Sequence, residues 1–258
     1  MIKPVDYKQY DAKWKSNNYS AKGEKRTIQT SGCGITCMAM IVATLVNNKI
    51  TPADTAVWSM EHGYKALNQG TYYSYFEPAG KHYGVNVKQL NASSCYGSTS
   101  AAGDKAAKAA LQDGDYVIAC MGPGRWTTSG HFIILYKMDD EGYVYINDPA
   151  STASNRLKAK WSDMAKEAKY YWKVDVPKYK DYKPSHTISS ASTKFDIAWC
   201  KKMLKKAGCY TGTITGTFNK ELSNAIYAFW KSKKWKIASI GKDGYYHAGS
   251  KTINALSK

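Results

Sequence analysis

A long apolar segment stands out early in the chain. Residues 34–46 read GITCMAMIVATLV, and a helix that is hydrophobic on all sides is typically a buried helix. Residues 101–112 read AAGDKAAKAALQ and are followed by Gly114, a residue type that commonly ends helices. The pattern therefore predicts a buried helix over residues 34–46 and a second helix over residues 101–112.

Short β-rich runs follow the second helix. Residues 116–121, 131–137 and 142–146 are rich in β-branched and aromatic side chains, as strands are. The last two runs are joined by the sequence DDEG at positions 139–142, which is typical of a hairpin turn. A buried helix followed by an antiparallel sheet indicates the α+β fold class.

The last third of the chain has a different character. Residues 176–192 contain two prolines and five Ser or Thr with no apolar period, so we predict a linker at residues 178–192. Beyond it, apolar residues recur at spacings of three and four, which is typical of helices. We therefore predict one domain over residues 1–177 and a small, mainly α-helical domain over residues 193–258. The helical positions include Ile197, Met203, Leu204, Leu222, Ala225, Ile226 and Phe229.

The charge of the chain points to an anionic polymer as its partner. The formal net charge is +17, and residues 193–258 alone carry thirteen Lys against three acidic residues. Nucleic acid is not expected, because the chain has no zinc-finger, basic-zipper or aromatic RNA-binding signature and its Lys residues are spread over the whole length. An anionic bacterial wall fits the charge as well, and solvated basic helix faces are the remaining interpretation.

Other function classes are excluded by what the sequence lacks. No apolar run approaches the roughly 20 residues that span a membrane, and residues 1–11 do not resemble a secretory signal. We expect a soluble, monomeric protein. The six cysteines form neither a dense disulfide framework nor CxxC pairs, which favours a reducing compartment and predicts no metal site or organic cofactor. They are Cys33, Cys37, Cys95, Cys120, Cys200 and Cys209.

Cys33 is the candidate nucleophile. It lies between Gly32 and Gly34 at the start of the buried helix, whose N-terminal N–H groups and partial positive charge favour a thiolate. We expect the two glycines to leave room for a substrate backbone. Cys37, one helical turn further on, is expected to be a small core residue, and the other four cysteines are expected to be structural.

His131 is the candidate general base. A cysteine nucleophile needs a histidine that is held by a third group. His131 opens the first hairpin strand and Asp148 follows the second, and a turn centred at 140–141 places residues 149–151 opposite His131. Asp148 is therefore expected within a residue or two of His131. The remaining histidines have no such acidic partner; they are His62, His82, His186 and His247.

Five motifs in order resemble a known family. They are YKQYDAKW, TIQTSGCGITCMAM, GTYYSYF, GDYVIACMGPGRWTTSGHFIILYK and GYVYINDPA. Together they resemble the bacteriocin-processing type of papain-like cysteine peptidase, in the variant found in bacterial and phage wall hydrolases, over most of residues 1–175. Four aromatic residues either line a cleft at this site or pack against it: Tyr72, Tyr73, Tyr75 and Trp126.

The resemblance implies roles for named residues. Cys33 would be the nucleophile, His131 the base, and Asp148 the group that orients the imidazole. In the family an upstream glutamine supplies the oxyanion-hole donor together with the backbone N–H of the nucleophile. Gln9 matches that glutamine, whereas Gln29 lies closer to Cys33 in the sequence.

The C-terminal segment has a resemblance of its own. The sequences MLKKAGCYTGTITGTFNKELSNAIYAFWKSKKWK and DGYYHAGSKTINAL resemble the small helical peptidoglycan-binding domain. This chain has Thr215 before Gly216, where that family often has Asp. A generic basic three-helix domain is the alternative interpretation.

Joined, the two resemblances imply a peptidoglycan hydrolase. We predict a phage endolysin that cleaves amide bonds by a Cys–His–Asp mechanism without a cofactor, is held in the host bacterial cytoplasm without a signal peptide, and acts at the cell wall after lysis. A leader-peptide processing protease and a non-catalytic wall-binding protein are the alternatives. A muramoyl-alanine amidase and an endopeptidase use the same thiol chemistry, so the bond that is cut stays open.

Overall fold

The computed structural model describes residues 2–90 and 101–258. The chain divides into two compact units, residues 3–176 and residues 177–258. Among the described residues, no helix combines the length and hydropathy that a membrane span requires. Cys95, which was predicted to be structural, lies outside the described residues.

The first unit contains seven helices within the described residues. They are α1 (Ile28–Ser31), α2 (Cys33–Leu45), α3 (Pro52–Glu61), α4 (Phe76–Tyr83), α5 (Ala101–Gln112), α6 (Ser154–Leu157) and α7 (Trp161–Glu167). Helix α2 is buried along its whole length after Cys33, as its all-round apolar sequence predicts. Helix α5 has the predicted bounds, whereas α2 begins and ends one residue earlier than predicted.

A six-stranded antiparallel sheet completes the first unit. Its strands are β1 (Val87–Gln89), β2 (Tyr116–Met121), β3 (His131–Met138), β4 (Tyr143–Asn147), β5 (Lys158–Lys160) and β6 (Ala168–Val174). The order across the sheet is β1-β6-β2-β3-β4-β5. The buried helix and this sheet confirm the predicted α+β fold class. The β3–β4 hairpin places Ile134 opposite Asn147, so the beginning of β3 and the end of β4 lie next to each other.

The two glycines beside Cys33 allow the protein to pack closely on itself. A Cβ atom on Gly32 would lie 2.5 Å from the Ile28 carbonyl oxygen, and one on Gly34 would lie 2.7 Å from Thr71 Oγ1. The space expected for a substrate backbone at these two positions is therefore occupied by the protein. Glycine is required here because it lets α2 start directly after α1 and against Thr71.

The second unit has its own core around three helices, α8 (Lys194–Lys206), α9 (Lys220–Ser232) and α10 (Ser250–Leu256). The Thr193 and Asn219 side chains accept hydrogen bonds from backbone N–H groups in the first turns of α8 and α9, as N-cap residues do. The mainly α-helical prediction for residues 193–258 agrees with this architecture.

The segment predicted as a linker lies within the second unit. Tyr179 stacks on Phe195 with ring centroids 5.0 Å apart, and Tyr182 donates a hydrogen bond to Asp196. Ile188 is fully buried and forms an antiparallel bridge with Ala248. Residues 178–192 thus contribute to the core of this unit. The sequence pattern did not reveal Tyr179, Tyr182 and Ile188 as core residues, because they have no regular spacing within this proline- and serine-rich segment.

Candidate active site

Cys33 is the first residue of α2 and lines an open cavity. The cavity has a volume of about 570 Å³ and is bounded by a helical wall and a sheet wall. The helical wall includes Ser31, Cys33 and residues 68–71, and the sheet wall includes Cys120 and residues 128–132. The thiol therefore lies in a cleft between the two layers, where a substrate can reach it.

His131 and Asp148 form a buried pair next to Cys33. The His131 Nε2 atom lies 2.7 Å from Asp148 Oδ1, and the Cys33 thiol forms a hydrogen bond with the imidazole ring. Because Nε2 faces the carboxylate, Nδ1 is the ring nitrogen left for the sulfur. Asp148 is completely buried, so its charge acts on the imidazole with little screening by water.

Several donors hold the Asp148 carboxylate in place. The backbone N–H of Ala150 donates to Oδ1 at 2.8 Å, and Arg156 Nε donates to Oδ2 at 2.7 Å. Arg156 also donates to the Trp126 carbonyl, and the Trp126 indole N–H donates back to the Arg156 carbonyl. The carboxylate therefore cannot turn away from His131 without breaking these bonds.

The N-terminal segment binds the loop that contains Asp148. Lys8 Nζ donates to the Asp148 carbonyl oxygen at 2.7 Å, and the Gln9 backbone N–H donates to the Pro149 carbonyl at 2.8 Å. Sequence reasoning missed both Lys8 and Arg156 as supports of the site. Neither has a sequence signal, because Lys8 lies 140 positions from Asp148 and Arg156 is one of many cations in a basic chain.

Gln9 and Gln29, the two candidates for an oxyanion donor, are bound to each other. The Gln9 side-chain amide donates to the Gln29 carbonyl at 2.5 Å, while Gln9 Oε1 is buried with no protein partner among the described residues. The Gln29 side chain is exposed on α1, and neither glutamine is among the residues that line the cavity. The structure thus shows Gln9 holding α1, the helix before Cys33, and its oxyanion role stays a prediction.

The four aromatic residues divide between the two alternatives. Tyr73 lines the cavity, where its hydroxyl accepts a long hydrogen bond of 3.7 Å from the Cys120 thiol. Trp126 and Tyr75 are buried and pack in the interior, and Tyr72 is 48% exposed. Only Tyr73 of the four therefore contributes to the wall of the cleft.

The remaining described cysteines differ in their surroundings. Cys37 is fully buried, as expected of a core residue, and burial raises the pKa of its thiol well above the usual value. Cys120 is buried in strand β2 but also lines the cavity beside Cys33. Cys200 is buried and Cys209 half-buried in the second unit. No group of His, Cys, Asp and Glu suited to a metal ion occurs in residues 2–90 and 101–258.

The electrostatics of the site favour a thiolate–imidazolium pair. Burial raises the pKa of Cys33, but the hydrogen bond and charge of His131 and the backbone N–H groups of Phe132 and Gly34 outweigh it and lower the pKa. Burial lowers the pKa of His131, yet its bonds to Asp148 and Cys33 raise that pKa to about 9. Both shifts favour the charged form of their group, so together they favour a thiolate beside an imidazolium that holds the proton a leaving group needs.

The pair predicts a bell-shaped pH profile. Activity should increase as the pH rises through the lowered pKa of the thiol, and it should fall as the imidazolium loses its proton near pH 9. Both limbs belong to the coupled pair rather than to single residues. The measurement is kcat/KM on a soluble substrate from about pH 4 to about pH 11. An alkaline limb near the ordinary histidine pKa of about 6.5 would contradict the prediction.

Known proteins resemble this chain over part of its length. The family described as Peptidase_C39 like family matches residues 7–177. The peptidase domain of Streptococcus ComA, a bifunctional ABC transporter involved in a quorum-sensing pathway, is 14% identical, with a TM-score of 0.39 over 57% of this chain and 93% of that chain. A double-glycine-motif protease from an AMS/PCAT transporter, solved with its leader peptide, is 18% identical, with a TM-score of 0.36 over 55% and 82% of the two chains. Among curated proteins, no sequence matches this chain.

Proposed function

This chain belongs to the Peptidase_C39 like family of papain-like cysteine peptidases, and we propose that its substrate is bacterial peptidoglycan. The observation that supports a hydrolase is the buried His131–Asp148 pair, which lies 2.7 Å apart beside a thiol of lowered pKa. The observation that supports a wall substrate is the positive charge of the second unit. This unit carries sixteen Lys against four acidic residues and folds around a separate core.

We assign the chemistry to three residues. The Cys33 thiolate attacks the carbonyl carbon of an amide bond, and the N–H groups at the start of α2 face the developing oxyanion. The His131 imidazolium gives its proton to the leaving amine, and then takes one from the water that hydrolyses the thioester. Asp148 keeps the ring oriented and stabilises its charge. These proposed reaction steps use no metal or organic cofactor.

The second unit offers a cavity for wall material. It has a volume of about 330 Å³ and is lined by Trp230, Trp235 and several hydroxyl and cationic side chains. Lys251 lies over the Trp235 ring at 4.3 Å from its centroid. Aromatic faces with nearby hydroxyls and cations suit a polymer that carries both sugars and carboxylates, and this cavity supports the proposed wall-binding role.

Leader-peptide processing is the second candidate function. The family match ends at residue 177, at the boundary between the two units, and it includes no residue of the basic unit beyond Pro177. A processing protease would cut a free peptide and would not need the basic unit. For residues 3–176 alone, this candidate therefore predicts cleavage of a free peptide and no cleavage of a soluble muropeptide.

Digestion of purified Gram-positive walls separates these functions. The full chain should release fragments whose new termini, identified by mass spectrometry, show whether a muramoyl-alanine or a stem or cross-bridge bond was cut. A linear peptide with a double-glycine site serves as the parallel substrate. Cleavage of that peptide with intact walls would favour processing. Wall binding without new termini would favour the non-catalytic alternative, and a salt-sensitive gel shift with DNA would favour nucleic-acid binding.

The second unit alone should bind walls. Residues 177–258 contain the complete core of that unit, and their net charge should make binding weaken as salt shortens the Debye length from about 10 Å at 0.1 M. Residues 3–176 should still cleave soluble muropeptides. Sedimentation of the fragment with walls over a salt series is the measurement, and a fragment that stays in solution at every salt concentration would remove the targeting role.

The place of action follows from the proposed substrate. An endolysin that is stored in the bacterial cytoplasm meets its polymer only after lysis opens the membrane. The proposal can be checked by expressing the full chain inside bacteria with and without an agent that permeabilises the membrane. Lysis only after permeabilisation would support this order of events, and lysis without it would contradict it.

A further inference from the structure

Lys169 occupies a bulge in the sheet wall of the cleft. Ala168 pairs with Met121 and Tyr170 pairs with Cys120, so Lys169 is the extra residue between two consecutive positions of β2. A bulge bends its strand and redirects a side chain, and bulges are frequent beside active sites. Here Lys169 lines the same cavity as Cys33, and its Nζ atom lies 3.3 Å from the Ser129 carbonyl oxygen.

This lysine lies close to the catalytic edge of the sheet. Ala168, Met121 and His131 are in register across strands β6, β2 and β3. Neighbouring strands are about 4.8 Å apart, so the backbone next to Lys169 is about 10 Å from that of His131. When a substrate is bound at Cys33, the Lys169 ammonium group can therefore reach the substrate residues that lie one or two positions from the scissile bond.

Arg26 supplies a second cation from the helical wall. Its side chain lines the cavity, is 37% exposed and lies 3.4 Å from Glu24. Glu24 is itself buried and is also paired with the buried Lys65, while it accepts a hydrogen bond from the Asn68 backbone. One carboxylate thus serves two cations, and the cluster of Glu24, Lys65 and Arg26 keeps a net positive charge at the edge of the cleft.

No carboxylate lines the cavity among the described residues. On the sheet side, Glu167 lies outside the lining, and its Oε2 accepts a hydrogen bond from the Arg125 backbone N–H. The thiolate and imidazolium cancel each other, and Asp148 is matched by Arg156 at 2.7 Å. Lys169 and Arg26 therefore leave the cleft with an excess of positive charge.

We infer that Lys169 and Arg26 select substrates carrying a free carboxylate within a residue or two of the scissile bond. This inference rests on the proposed function and deepens it. It means that the enzyme distinguishes stem peptides with a free α-carboxyl group from stem peptides in which that group is amidated. The cations attract the charged form from opposite walls, and neither takes part in bond cleavage.

Alkylation of Cys33 tests the charge of the cleft without any substrate. Iodoacetate carries a carboxylate and iodoacetamide is its neutral counterpart, so the ratio of their rates at Cys33, followed by peptide mass spectrometry, reports the local charge. Removing both cations with Lys169→Met and Arg26→Gln should lower that ratio about tenfold at low ionic strength, with about three- to fivefold for each single change. Lys169→Arg should keep it.

The neutral reagent and a distant lysine serve as controls. An unchanged iodoacetamide rate shows that the variants are folded with a reactive thiol. Lys88→Met removes an exposed strand lysine that does not line the cavity and should leave the ratio unchanged. A double variant with the wild-type ratio would overturn the inference, as would a Lys88 variant with the same loss.

A matched pair of muropeptides then tests the substrate class. One carries D-isoglutamate at the second position of the stem and the other carries D-isoglutamine. The wild-type chain should cleave the acid form with about tenfold higher kcat/KM, and the double variant should lose the preference. If neither muropeptide is cut while the alkylation ratio behaves as expected, the proposed peptidoglycan function fails and the anionic selectivity stands. Equal cleavage of the two forms by the wild-type chain would overturn the selectivity.

Discussion

Replacing Cys33 with Ala should abolish hydrolysis, with a loss on the order of 10⁴-fold or more in kcat. The change removes the proposed nucleophilic sulfur, since the thiol of Cys33 lies at the start of α2 and contacts His131. The side chain is small and half-buried, so the substitution should leave the fold intact. Turnover of one soluble muropeptide, with circular dichroism of both proteins, is the measurement.

Cys37→Ala is the matched control for this experiment. Cys37 is one helical turn away, fully buried, and has a pKa raised by burial, so it lacks the reactive thiolate. We expect its variant to keep most of the activity, with a modest loss of stability from the smaller core side chain. A lytic Cys33 variant beside an inactive Cys37 variant would reverse the assignment of the nucleophile.

Replacing His131 with Ala should have the next largest effect. The ring carries the proton that the leaving amine requires, and general acid–base catalysis typically contributes about 10² to 10⁴-fold. The substitution also removes the hydrogen bond and the charge that lower the pKa of Cys33, so the remaining thiol should be protonated at neutral pH. The two losses act together on the same step, and the variant should rank with Cys33→Ala at the bottom of the series.

Asp148→Asn should cause a smaller, partial loss. The amide oxygen can still accept the hydrogen bond from His131, but the neutral group no longer stabilises the imidazolium. The amide nitrogen must then face the Arg156 guanidinium, which donates to Oδ2 in the native protein. Because Asp148 helps to raise the pKa of His131, the alkaline limb of the pH profile should move to lower pH in this variant.

Measuring all four proteins on one soluble muropeptide tests the ordering. Turnover should decrease from the wild type to Asp148→Asn, and then to His131→Ala and Cys33→Ala. An Asp148→Asn enzyme with an unchanged rate at every pH would reduce Asp148 to a structural residue of the turn before Pro149. That result would leave the roles of Cys33 and His131 untouched.

The sequence alone predicted helices α2 and α5, strands β2, β3 and β4, and the proximity of His131 and Asp148. The all-round apolar pattern of α2 and the strands β2, β3 and β4 were readable because burial acts on local periodicity. The proximity of His131 and Asp148 was also readable, since a hairpin joins residues that are close in the chain and its register follows from the turn. The α+β class followed from these elements.

Only the tertiary structure decided how the site is supported. Lys8 and Arg156 hold the loop of Asp148 through contacts that no local pattern encodes, and the Gln9 side chain binds the Gln29 carbonyl. The bulge that redirects Lys169 depends on pairing between distant strands. Periodicity shows which face of an element is buried. The partner of a polar side chain depends instead on how separate elements pack, and the distance between two elements is set by the tertiary structure.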